Sequence, residues 1–247
     1  MFYASGITVK DDYNRDILYK SFFALCPGEI VGVAGISGNG QRELTEALYG
    51  VRPVYDGELY FDGEVINETT IRERLDMGIQ ILSEDPIRDN VIPNFTILQH
   101  MVLAGIEPRK KGLDIDWADV RQQFESHPEI RSLGVPAPER YAEKLSGGNI
   151  QRMVFARAVI SKPTVLIASY PSRGLDIATV QTVHNTLLDL RSKGVGILLI
   201  SEDLNELFTL SDRLVVLADN YIFGPFVPEE YDQRRIGNIM LKGARNR

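Results

Sequence analysis

The stretch that most limits the architecture is "GEIVGVAGISGNGQRELTEALYG" (28–50). It opens as a valine-rich apolar run closed by glycine and continues with Leu44, Ala47 and Leu48 at helical i, i+3, i+4 spacing. Strand, tight glycine turn and helix form the unit from which parallel α/β sheets are wound, and such a turn gathers backbone N–H groups at a helix start. The turn itself, "GISGNGQREL" (35–44), approaches the phosphate-loop pattern G-x-x-x-x-G-K-[ST]. Gly35 and Gly40 fall in register, with Ser37, Gly38 and Asn39 between them, but Gln41 stands at the lysine position. Arg42 stands where a hydroxyl would hold magnesium. A loop of this kind keeps its backbone donors and loses its built-in cation; a glycine cluster without a ligand is the other reading of the same residues.

The rest of the chain follows the same grammar. "PTVLIAS" (163–169), a helix from about Ile177 to Lys193, "VGILLIS" (195–201) and "RLVVLAD" (213–219) alternate strand with helix, which predicts a largely parallel sheet with ligands at its carboxyl edge. "DGELYFDGEVI" (56–66) holds two short alternating runs around Asp62-Gly63, a hairpin signal. Between 85 and 143 strand signals fade and helical stretches such as "DWADVRQQFESH" (116–127) are broken by prolines at 128, 136 and 138, which predicts a mostly helical insert. There are no repeats of 20 to 50 residues.

Composition enters only to exclude. A net charge of -7 with no lysine- and arginine-rich face argues against nucleic acid as the partner. A single cysteine, Cys26, excludes an internal disulfide framework and fits a reducing compartment. Apolar runs such as "GILLI" (196–200) are far shorter than the ~20 residues that span a bilayer. No secretion signal opens the chain, so service to a membrane would come from the cytoplasmic side, through a partner.

A second motif narrows the reading. "LSGGNIQRMVFARAVI" (145–160) places Ser146, Gly147 and Gly148 directly before a helix with apolar residues at Met153, Val154, Ala156 and Ala158. Exposed N–H groups at a helix start, with a hydroxyl added, make an anion site without lysine. A serine that simply caps the helix, followed by flexible glycines, accounts for the same letters without any ligand.

The order of the motifs is more specific than either alone. "LSGGN", then "PTVLIASYPSRGLD" (163–176), then "GILLISEDLNEL" (196–207), resembles the ATPase subunits of ATP-binding-cassette (ABC) transporters across nearly the whole chain. The resemblance implies a phosphate-loop NTPase fold: an α/β core with a mainly parallel sheet, a small antiparallel β subdomain and an inserted helical subdomain. It divides one cassette, 1–247, into core (1–84 and 144–247) and helical insert (85–143). In this reading Leu145 to Asn149 are the signature motif, the "GLD" at 174–176 is the D-loop and Tyr13 is the aromatic that stacks on adenine. "GNGQREL", "PSRGLD" and "ISEDLNELFTLSDRL" look like the second, degenerate cassette of monosaccharide and nucleoside importers. In that group two cassettes share one long chain; a start close to the first strand suits an excised half, and a separately encoded subunit would look the same.

Against that family pattern the chain departs at every catalytic position. Ser169 and Tyr170 replace the aspartate for magnesium and the glutamate for the attacking water. Glu202 replaces the switch histidine and Glu84 the Q-loop glutamine, while Gln41 and Arg42 replace the lysine and the magnesium hydroxyl. Loss of a positioned base alone costs about 10²–10⁴ in rate, and phosphoryl transfer depends on the charge neutralisation and positioning that are missing here. The expectation is weak ATP binding through the loop backbone, with Arg42 as a possible cation, no metal site and little hydrolysis. The signature is intact, and in this family each nucleotide lies between one cassette's loop and the other's signature. Ser146, Gly147, Gly148 and Asn149, with Asp176 reaching across, are therefore expected to complete a partner cassette's site, where the magnesium would be. Implied partners are that second cassette, transmembrane permease subunits and, indirectly, a solute-binding protein, on the cytoplasmic face of the membrane. Two other readings compete: a non-transport nucleotide-sensing or interaction module, and a self-sufficient ATPase using Glu43, Glu84 or Glu202 as its base.

Overall fold

The structure, a computed structural model, describes residues 1–106, 110–111 and 114–242. In chain order, β1 (Phe2–Lys10) and β2 (Asp16–Leu25) pair antiparallel, and β3 (Ile30–Gly35) runs through the glycine turn into α1 (Gln41–Tyr49). β4 (Asp56–Phe61) and β5 (Glu64–Val65) form the expected hairpin, whose Asp62 and Gly63 carry φ of 50° and 92°, the left-handed pair that a two-residue turn demands. A capping box between Thr70 and Glu73 opens α2 (Ile71–Asp76), and β6 (Ile79–Leu82) follows. The helical stretch holds α3 (Pro86–Asn90), α4 (Ile97–Leu103), a short hairpin of β7 (Lys110–Lys111) and β8 (Asp114–Ile115), α5 (Trp117–Ser126) and α6 (Pro128–Ser132). A 3-10 turn at Ala142–Lys144 precedes α7 (Gly147–Ile160). The chain ends with β9 (Val165–Ser169), α8 (Ile177–Ser192), β10 (Gly196–Ile200), α9 (Leu204–Leu210), β11 (Arg213–Ala218), β12 (Tyr221–Phe226) and α10 (Gln233–Lys242).

These elements group into two compact units. The first comprises, among the described residues, 1–81, 164–170 and 187–242. Its six-stranded sheet has the order β12-β11-β3-β10-β9-β6; β11, β3, β10 and β9 are parallel neighbours, and β12 closes one edge antiparallel. Every residue of β3, β9 and β10 is buried, which is why these strands read as unbroken apolar runs instead of alternating ones. A four-stranded antiparallel sheet, order β2-β1-β4-β5, turns Ile7, Leu18 and Leu59 into the same core as Val33, Leu44, Ile167 and Ile200.

The second unit comprises residues 82–163 and 171–186. It is centred on α7, which buries Met153, Phe155, Ala156 and Val159 and packs against α3, α4 and α6. The insert expected at 85–143 falls within this unit. It takes in α7 and the start of α8. Inside it, His100 is fully buried: Nδ1 lies 2.8 Å from the Thr96 carbonyl and Nε2 accepts from the Ile92 N–H at 3.0 Å. That pair of bonds fixes a neutral imidazole, and burial pushes its pKa below the ordinary histidine value.

Candidate functional site

The glycine turn is built by the sheet that carries it. β3 ends at Gly35, where an added Cβ would crowd the Gln41 amide nitrogen at 2.5 Å and the Leu217 carbonyl at 3.1 Å. Gly38 and Gly40 take φ of 90° and 104°, a backbone that favours glycine. The Asn39 N–H donates to the Ile36 carbonyl at 3.1 Å, and its side chain donates to the Leu217 carbonyl at 3.3 Å. Gly40 stands at the N-cap of α1 without a side-chain cap bond, and Ile36, Ser37 and Gly38 are exposed. The helix start therefore presents backbone donors at an open turn.

Gln41 answers why the lysine can be missing without the loop losing its shape. Its side chain is 4% exposed and its amide donates to the Ile36 carbonyl at 2.9 Å, so a neutral group closes the loop from inside. Arg42 is not the spare cation that the sequence suggests. It pairs with Glu46, four residues on, at 2.7 Å, and Glu46 also holds Arg52 at 2.7 Å. The loop carries donors but no uncommitted positive charge from this helix.

The catalytic positions lie along the same edge. Parallel pairing of β9 with β10 and of β10 with β3 brings Ser169, Tyr170 and Glu202 to the carboxyl end of the sheet, the edge from which the glycine turn also springs. Ser169 is 3% exposed, and Tyr170 is buried in the core with φ of 50° and its N–H bonded to the Ile200 carbonyl at 2.8 Å. A buried tyrosine ring therefore stands where the family resemblance led one to expect the general base. Glu202 is exposed beside Ser201, whose hydroxyl accepts from the Asp203 N–H at 3.1 Å. Glu43, in the first turn of α1, is half-buried. Of the two residues expected at the magnesium positions, Arg42 is paired with Glu46 and Ser169 is buried, so neither brings a carboxylate to a metal. Among the described residues no trio of His, Cys, Asp or Glu could grip a metal.

Tyr13 sits in the β1–β2 turn, 81% exposed, with the Arg15 guanidinium 5.1 Å from its ring centroid.

In the second unit, Ser146 stands at the N-cap of the 14-residue α7 and makes no side-chain cap bond, which removes the simple capping account of its hydroxyl. Ser146 and Gly147 are exposed, Gly148 and Asn149 half-buried, and an added Cβ at Gly147 would meet nothing within 4 Å. Asp176 is held by neighbours in its own unit while staying half exposed. It caps α8 by accepting from the Thr179 N–H at 3.0 Å and the Thr179 hydroxyl at 2.7 Å, and it pairs with Arg152 of α7. The Thr179 bonds and that guanidinium hold its carboxyl down at about 2. Glu84 pairs with Arg173 at 3.4 Å. The sequence reading missed Glu46, Arg52, Arg152 and Arg173, because no periodicity or motif announces the partner of a long charged side chain.

A parallel sheet with a glycine turn between β3 and α1, an antiparallel sheet and a helical unit built on α7 define a phosphate-loop nucleotide-binding domain of the ATP-binding-cassette type. The chain belongs to the ABC transporter family, whose pattern matches residues 19–172. A glucose import ATP-binding protein of Haloferax volcanii is 32% identical over 245 residues, 98% of this chain and 44% of that protein. A guanosine import ATP-binding protein of Bacillus subtilis is 33% identical over 241 residues, 95% of this chain and 46% of that protein. The chain thus spans about half the length of these relatives. Among solved structures, a dimeric bacterial ABC transporter cassette superimposes with a TM-score of 0.79 at 20% identity, covering 92% of this chain and 99% of that one. A nucleotide-free ATP-binding cassette gives 0.76 at 20% identity, covering 98% and 96%. At that identity the likeness speaks for the fold.

Proposed function

We propose that this chain is a degenerate cassette of an importer for sugars or nucleosides, which completes the ATP site of a second cassette while its own loop binds nucleotide weakly and hydrolyses little. The observation that carries the reading is a contrast. The cation and base positions of its own loop are filled by neutral, paired or buried groups: Gln41 folded inward, Arg42 on Glu46 and Tyr170 in the core. The signature helix α7 instead begins with an exposed serine that does not cap it. A long helix whose first N–H groups lack a side-chain partner attracts anions. A terminal phosphate of the partner's nucleotide is the anion that the motif order suggests.

Three roles follow for the chain's own residues. Ser146 and the backbone of Gly147 and Gly148 donate to that phosphate; Asn149 lies beside them. Arg152 and Thr179 hold Asp176 against α7, so that the signature and the D-loop form one piece. Metal chemistry belongs to the partner's site in this reading, since Arg42 and Ser169 together give magnesium no carboxylate and no pair of oxygen ligands. The assembly would include the second cassette and transmembrane permease subunits on the cytoplasmic face of the membrane, with a solute-binding protein acting through them. Among the described residues no helix is long and apolar enough to cross a membrane.

The test compares two substitutions in complexes with a cassette whose loop is intact. Ser146→Arg puts a bulky side chain where the phosphate would dock, and since ~1 Å of misplacement can cost about 10²-fold, ATPase and transport should collapse by at least that much. Gln41→Ala alters only this chain's loop and should change the rate by less than about tenfold. Equal assembly is confirmed first by size-exclusion chromatography. A crippling Gln41→Ala with a harmless Ser146→Arg would reverse the assignment.

A further inference from the structure

Asn39 and Gly40 form an Asn-Gly step, which this chain contains once, inside the open turn between β3 and α1. The two sides of that step are held unequally. The Gly40 carbonyl accepts from the Leu44 N–H at 2.8 Å and anchors the first turn of α1. Its N–H, by contrast, has no acceptor among the described residues. The Asn39 side chain is half-buried, held by a bond at 3.3 Å from its amide to the Leu217 carbonyl. Ser37 and Gly38, just before it, are exposed, and a Cβ added at Gly38 would meet nothing within 4 Å, so water reaches the turn from that side.

This combination suits attack of the chain on itself. Joining the Gly40 nitrogen to Asn39 Cγ closes a five-membered ring, and glycine puts no Cβ in the way. Hydroxide takes the Gly40 amide proton, the nitrogen attacks Cγ, and the bond from Cγ to Nδ2 breaks. The leaving nitrogen takes a proton from water and departs as ammonia, which leaves a cyclic imide. Water then opens the imide: at Cγ it yields aspartate, at the main-chain carbonyl isoaspartate. The net change consumes one water and releases one ammonia, with no oxidation. Negative charge develops on the way, and it does so beside the open N–H groups at the start of α1, where an anion is favoured.

We propose that Asn39 is a self-modification site: the turn converts its own amide into a carboxylate, which then takes the place of a bound anion at the start of α1. The first half of this inference stands on the turn alone; the second rests on the reading that the loop binds nucleotide. Aspartate at 39 brings a negative charge to donors that otherwise face phosphate, and it withdraws the amide from the Leu217 carbonyl. Isoaspartate adds an atom to the main chain of a turn in which Gly38 and Gly40 hold φ of 90° and 104°, and so displaces the donors that follow. Either product closes the loop to anions irreversibly.

The experiment ages the full chain in mildly alkaline buffer and follows its peptides by mass spectrometry. The peptide holding Asn39 should gain about 1 Da, with aspartate and isoaspartate forms separated by chromatography. Asn14, Asn94 and Asn220 are exposed and also sit at positive φ, but Arg15, Phe95 and Tyr221 follow them, so they serve as controls. Asn39 should convert at least about tenfold faster than any of these, because only its neighbour lacks a Cβ. The rate should rise with pH, and Asn39→Ser should abolish the signal. Both Asn39→Asp and the aged protein should bind inorganic pyrophosphate at least about tenfold more weakly in calorimetry, as a like charge at the site requires. An Asn39 that ages no faster than the controls would sink the modification site. Undiminished pyrophosphate affinity in both Asn39→Asp and aged protein would refute the consequence for binding. Wild-type protein that takes up no pyrophosphate would overturn the anion-binding reading of the loop and that consequence with it, while the mass readout judges the modification by itself.

Discussion

Arg74→Met removes a fully buried cation of the first unit, and its cost can be worked out from the bonds. Arg74 is 1% exposed. Nη1 donates to the carbonyls of Ala47 and Leu48 at 2.8 Å each, Nη2 to the Ile66 carbonyl at 2.7 Å and Nε to the Thr69 hydroxyl at 3.0 Å. None of these partners is a carboxylate; the cation rests on the last carbonyls of α1, at the negative end of the helix dipole. Methionine keeps much of the stem's volume but leaves three carbonyls without that donor, each costing about 1–3 kcal/mol when buried. Burial of the guanidinium itself costs several kcal/mol, and the substitution returns that amount. A net loss of about 3 kcal/mol is expected, a large part of the ~5–15 kcal/mol that holds a domain together. Urea unfolding at neutral pH should show a lower midpoint with an unchanged slope. A loss under about 1 kcal/mol would show that the hydrogen bonds do no more than cancel desolvation, and the reasoning would fail. Because α1 begins at the glycine loop, the variant should also loosen hydrogen-exchange protection over 41–49.

Three further outcomes follow from the site. The isolated chain should hydrolyse magnesium-ATP well below ~1 s⁻¹, the low end of ordinary enzymes, and magnesium should not tighten its nucleotide binding; Gly40→Val, which forces a side chain onto a backbone with φ of 104° and against Ile17, should abolish that binding in calorimetry. Ser169→Asp with Tyr170→Glu should fail to restore turnover and should cost about 3 kcal/mol in urea melts, because a carboxylate replaces a packed ring in the core. His100 sets a pH dependence. The folded chain holds the neutral imidazole, so the unfolded chain takes up the proton first; stability is full above the ordinary value of 6.5 and falls as pH drops through the lower folded value, and His100→Gln should flatten that step.

Much of the architecture is legible in the letters because burial on both faces of a parallel strand writes itself as an unbroken apolar run. β3, β9 and β10 are found where "IVGVAG", "VLIAS" and "GILLI" stand, and Asp62-Gly63 names its own turn. The glycine turn between β3 and α1 is likewise visible, since a motif position is a matter of spacing. β1 and β2 are not visible in the same way. Their pairing is interrupted by bulges, so the alternation that would reveal a half-buried strand loses its phase.

What tertiary structure alone decides is where each charge and hydroxyl is spent. Arg42 reads as a spare cation until Glu46 is seen to hold it, and nothing in the letters pairs Asp176 with Arg152 and Thr179. Ser146 looks like a helix cap and makes no cap bond, while Arg74, which no pattern singles out, lies at the centre of a core. Local sequence fixes helix, strand and the face that turns inward, because those depend on neighbours within a turn or two. The partner of a long polar side chain is set by whichever element folding brings alongside, as with Arg52 and Asp12, which meet across 40 residues of chain.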